Sequence, residues 1–87
     1  MSEDRWLKFG QSLDEHHQWP CCYVFKFIVA RESAQAVLDL FPGIETGQRP
    51  SSSGQYVSVT AEATMSCAAE VVAIYRRAAD IPGIVSL

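Results

Sequence analysis

Along residues 56–63 the chain alternates strictly. Val57, Val59, Ala61 and Ala63 are apolar, and Tyr56, Ser58, Thr60 and Glu62 stand on either side of them. A period of two puts each set on one side of a pleated strand, so the pattern predicts a strand with one buried face. Residues 21–30 alternate as well. Tyr23, Phe25, Phe27 and Val29 form the better core face, while Cys22, Val24, Lys26 and Ile28 form a half-apolar one.

Three other stretches follow the helical period. Residues 2–17 place Trp6, Phe9 and Leu13 on one face, with Ser2 as the cap and Glu3 and Asp4 at the positive end. Gly10 weakens this helix by about 1 kcal/mol relative to alanine. His16, His17, Gln18 and Trp19 then run into Pro20, which stops it. After a junction at Arg31-Glu32-Ser33, with Ser33 as cap, Ala34, Val37, Leu38 and Phe41 give a short stripe ending at Pro42-Gly43. The last stripe is Cys67, Val71, Ile74, Tyr75 and Ala78, capped by Ser66 with help from Glu70. Arg76 and Arg77 suit its negative end.

Between these lie weaker strands. Residues 44–49 are mixed and polar, as an edge strand would be, and Pro50-Ser51-Ser52-Ser53-Gly54 is turn chemistry that leads back into the central strand. Asp80-Ile81-Pro82-Gly83 breaks the last helix before a short final strand at residues 84–87. The order β-α-β-β-α-β is the split βαβ, or ferredoxin-like, plan of the α+β class. Right-handed crossovers then set strands one and three in the centre, with both helices on one face. Residues 1–18 are an appended helix and linker, and 19–87 the domain proper.

Composition narrows the functional classes. A chain of 87 residues forms one core and has little room for an enclosed, elaborate active site. The net charge of −3 argues against nucleic acid, which calls for clustered cations. The longest apolar run, near residues 21–30, contains Lys26 and is too short to span a bilayer, and the N-terminus is acidic and polar with no apolar leader. Three cysteines, two of them adjacent, make a poor disulfide framework, so a reducing cytoplasm is expected.

Candidate chemistry is sparse. Arg49, Ser51, Ser52, Ser53, Gly54 and Tyr56 are the candidate ligand site: a guanidinium, hydroxyls and loop N–H groups are the donors that hold a carboxylate or phosphate. The competing reading is a hairpin whose serines satisfy its own backbone. His16, His17, Cys21 and Cys22 supply metal donors in type, but adjacent cysteines on a strand point to opposite faces, so no metal or other cofactor is expected. Cys67 lies near a helix N-terminus, yet its helical phase predicts burial, and no enzymatic activity is expected.

Certain residues carry a family resemblance. Trp19-Pro20-Cys21-Cys22-Tyr23-Val24-Phe25-Lys26-Phe27, Pro50-Ser51-Ser52-Ser53-Gly54-Gln55-Tyr56-Val57-Ser58 and Ile81-Pro82-Gly83-Ile84-Val85-Ser86-Leu87 resemble, in order and spacing, the YbeD-like family of small bacterial proteins of unknown function. That resemblance implies an ACT-like variant of the ferredoxin fold, akin to regulatory domains that bind amino acids, and implies no activity.

Two expectations follow. One is a regulatory module that binds a small effector, an amino acid or another carboxylate, and acts through a partner. The other is an interaction or assembly module, with a homodimer among its forms and Trp6, Phe9, Leu13, Val24, Lys26 and Ile28 as its surface. In the second, either the N-terminal helix or another copy of the chain covers the open sheet face.

Overall fold

A computed structural model describes residues 3–86. Its elements are α1 (Glu3–His16), β1 (Cys21–Ala30), a 3-10 turn (Arg31–Ser33), α2 (Ala34–Leu38), β2 (Thr46–Pro50), β3 (Tyr56–Met65), α3 (Ala68–Ala78) and β4 (Val85–Ser86). The expected cap Ser2 and the end of the final strand at Leu87 lie outside the described residues.

The four strands form one antiparallel sheet in the order β2-β3-β1-β4. This is the expected α+β ferredoxin-like arrangement with an additional N-terminal helix. β1 and β3 pair along their full length, from Cys21 opposite Met65 to Ala30 opposite Tyr56. That register aligns two alternating patterns so that both buried sets face the helices. Phe25, Phe27, Val29 and Val59 are wholly buried there, joined by Val37 of α2 and Val71 of α3. Phe41, just beyond α2, closes the core against Phe25, with ring centroids 5.2 Å apart.

Several boundaries differ from expectation. The chain enters α2 through the 3-10 turn, and Ser33 makes no side-chain capping bond. The edge strand begins at Thr46 rather than residue 44, and Ile44 is half-buried before it. Cys67 is not a buried stripe residue. It occupies the N-cap position of α3 in an extended conformation and is exposed, because the helix begins one residue later, at Ala68. Ser66 therefore does not cap. Its backbone N–H instead donates to the Glu70 carboxylate.

α1 packs within the domain, on α3 in the helix layer, and is not the element that would cover the open sheet face. Leu13 is 5% exposed and part of the core, Phe9 meets Tyr75 edge-to-face at 5.2 Å, and Glu3 forms a two-pronged ion pair with Arg76 at 2.8 and 3.1 Å. Arg76 also stands over the Trp6 ring, 5.8 Å from its centroid. The expected stripe of Trp6, Phe9 and Leu13 is real, and the chain itself covers much of it.

Candidate functional site

The serine loop is held by its own hydroxyls. Ser51 Oγ accepts from the Tyr56 backbone N–H at 3.2 Å, and Ser53 Oγ accepts from that of Gln55 at 3.3 Å. The two hydroxyls lie 3.2 Å apart. The Ser51 N–H donates to the Tyr56 carbonyl at 2.8 Å, and Gly54 reverses the chain at φ 75°, where an L side chain is strained. A depression of about 380 Å³ does adjoin the loop, between Ala30-Arg31-Glu32 and Ser53 to Tyr56. Its cation is Arg31, with the Glu32 carboxylate beside it. Arg49 is elsewhere, on β2 opposite Ser58, where it belongs to the open sheet face. The six residues proposed from sequence thus fall into two places: a self-satisfied turn and a sheet surface.

The open face carries the polar-side residues of β1 and β3. Val24 is 49% exposed and stands opposite Glu62; Lys26 stands opposite Thr60, and Ile28 between Ser58 and Val85. Val85 and Tyr56 are also half exposed. Val24, Lys26 and Ile28 therefore share one surface, on the far side of the sheet from Trp6, Phe9 and Leu13.

Another concavity was not singled out by sequence reasoning. α1, α3, β1 and β4 border an open cleft of about 570 Å³. Trp6, Phe9, Tyr23, Tyr75, Ala79 and Ile84 line it with mostly apolar surface, and Arg5 and Ser86 are its other polar lining residues. The two phenol oxygens are 3.5 Å apart. Burial pushes the Tyr75 phenol up from its ordinary value, and the hydrogen bond and charge interaction with Tyr23 push it further in the same direction. Tyr75 therefore keeps its proton to higher pH than a free tyrosine, and either hydroxyl can donate to the other. An apolar pocket with a few converging polar groups has the usual composition of a small-molecule site. The signal available in sequence was modest: two tyrosines at core-facing positions of separate elements, each needing a partner for its hydroxyl.

The metal donors do not converge. His16 Nδ1 contacts the Ser12 carbonyl at 2.7 Å, and His17 Nδ1 lies 3.8 Å from Cys21 Sγ. Cys22 is on the opposite sheet face, as alternation requires. Among the described residues no group of three or more histidine, cysteine or acidic side chains is placed to hold an ion. No helix among them is long and apolar enough to cross a membrane.

Comparison with curated proteins and with solved structures finds no match. A family model described as a protein of unknown function, DUF493, matches residues 14–87. The match takes in the whole sheet, α2 and α3, and the last turn of α1, and leaves Arg5, Trp6 and Phe9 before its start. The chain belongs to this DUF493 family, the YbeD-like family that its motifs resemble.

Proposed function

We propose that this domain is a non-catalytic regulatory module whose α1–α3–β4 cleft binds a small carboxylate with an apolar body, an amino acid or a related acid. The carrying observation is the cleft itself: aromatic walls, two phenol hydroxyls and one guanidinium at the margin. A guanidinium paired with hydroxyl donors is suited to a carboxylate, and the aromatic walls to the rest of the molecule. The Tyr23 and Tyr75 hydroxyls, 3.5 Å apart, offer hydrogen-bonding groups beside the apolar surface. The serine loop is the less favoured place because its hydroxyls already serve the hairpin. A regulatory effect passes to a protein partner.

Amide-resolved NMR titration with phenylalanine, phenylacetate and isovalerate tests this. Saturable shifts are expected at Trp6, Phe9, Tyr23, Tyr75 and Ile84, and Arg5→Ala should weaken binding about tenfold through loss of a charge-assisted bond. Shifts confined to residues 51–56 would move the site to the hairpin. Equal binding of phenethylamine would remove the carboxylate assignment, and the absence of saturable binding would remove the effector role.

A second reading, an assembly module, is favoured by one observation. Val24, Tyr56 and Val85, three of the four large hydrophobic residues exposed among the described residues, share the open sheet face.

A further inference from the structure

The open sheet face poses a problem separate from the cleft. The helices lie on the other side of the sheet, so no element among the described residues covers it. Along β1 it presents Val24, Lys26 and Ile28 in succession, with Val85 beside Ile28. Charges interrupt this apolar face in a definite pattern: Lys26 on β1 and Glu62 on β3, with Arg49 further out on β2. Val24 pairs with Glu62 and Lys26 with Thr60, so Lys26 and Glu62 are diagonal neighbours across the β1–β3 ladder. Both are exposed. The ion pair found among the described residues joins Glu3 and Arg76, on the helix layer, so Lys26 and Glu62 are not paired with each other.

We propose that this face is an isologous interface between two copies of the chain, with its two-fold axis close to Val24. In such an interface residue i meets residue j while j meets i, so one patch must carry both members of every charge pair. Lys26 and Glu62 satisfy that condition. A two-fold axis in the plane of the interface, perpendicular to the line joining them, exchanges their positions. Lys26 of each copy then faces Glu62 of the other. The same axis brings Val24 close to Val24 of the second copy. Val24 of both copies then lies at the centre between the two cross-pairs, with Ile28 and Val85 further from the axis, and the two sheets stack at about 10 Å, as facing sheets do.

Size sets the expected strength. With strands about 4.8 Å apart and about 3.4 Å per residue, the β1–β3 face and its margins offer about 500 Å² per copy. The total is near the floor of about 1,000 Å² for a specific interface, so the dimer should be weak and reversible. An unrelated protein would need a complementary surface of its own. The second copy already has one.

Sedimentation equilibrium of the full chain across a wide concentration range tests the proposal. A reversible monomer–dimer equilibrium is expected. Val24→Glu, Lys26→Glu and Glu62→Lys should each weaken it at least about tenfold, because symmetry makes every unfavourable contact occur twice. All three positions are exposed, and unchanged circular dichroism would verify that the variants fold. The discriminating step is to mix the two charge-reversed chains. A Lys26→Glu chain and a Glu62→Lys chain, each impaired alone, should associate with one another, since both cross-pairs are restored in the mixed dimer. A wild-type chain that stays monomeric overturns the proposal. So does a dimer indifferent to the charge reversals, which would place the contact on a strand edge, or a mixture that fails to associate.

Discussion

Tyr75 combines three roles in one side chain. It packs between Phe9 of α1 and Phe25 and Phe27 of β1, its hydroxyl meets Tyr23, and it lines the cleft. Removing the phenol from water costs most in its charged form, which is why its ionisation is pushed upward. The consequence for stability has a definite sign. Between the ordinary tyrosine value near 10 and the raised folded value, the folded chain keeps a proton that the unfolded chain has lost. The folded state thus binds more protons than the unfolded state, and stability falls as pH rises through that window. Thermal melts at stepped pH above about 9 should decline in wild type. Tyr75→Phe should flatten part of the decline while leaving the melt near pH 7 within a few degrees; identical alkaline profiles would remove Tyr75 as its source.

At the scale of elements, α1 tests what helical periodicity can and cannot tell. Trp6, Phe9 and Leu13 announced an apolar stripe, but a stripe does not say which surface it meets. The docking on α3 gives two opposed predictions. Leu13 is buried in the core, so Leu13→Ala should cost about 2–4 kcal/mol in denaturant unfolding; a cost below about 0.5 kcal/mol would mean α1 is not docked. Gly10 faces α3 with room to spare: a β-carbon there would meet Val72 Cγ2 at 3.7 Å, an ordinary contact. Gly10→Ala should therefore stabilise the chain by about 0.5–1 kcal/mol through helix propensity, and a loss would mean the seam is tighter than this. The sheet was more legible than the helices. Strict alternation fixed the faces of β1 and β3 because a one-residue slip would bury Lys26 and Glu62 and expose Phe25 and Val59. Cys67 was misassigned because a stripe extrapolated one position too far enters the cap, where the backbone is extended. The serine turn was visible as a turn, and of its two readings the distances bear out the one in which the hydroxyls serve the hairpin's own backbone. The cleft was the least visible feature, since it draws on four elements brought together by the fold.

For the molecule as a whole, the cleft joins two parts of unlike standing. Tyr23, Tyr75, Ala79, Ile84 and Ser86 lie within the region that the family model matches, whereas Arg5, Trp6 and Phe9 precede it. The cleft therefore draws five lining residues from the family fold and three from α1, and a ligand there would bridge them. Anything that binds only the assembled cleft stabilises the state in which α1 is docked, by an amount set by ligand concentration over Kd. That linkage separates a cleft ligand from one bound on the sheet or the hairpin. Hydrogen exchange followed with and without saturating phenylacetate should slow most in α1 and around β4, the elements whose contacts the ligand adds to. The β2–β3 hairpin should change less, because the serine loop lies apart from the cleft. Phe9→Ala, which removes a wall and a contact with Tyr75, should abolish the difference in α1 by weakening both docking and binding. Protection that rises at the hairpin and leaves α1 unaltered would place the ligand elsewhere and leave α1 with packing as its whole role.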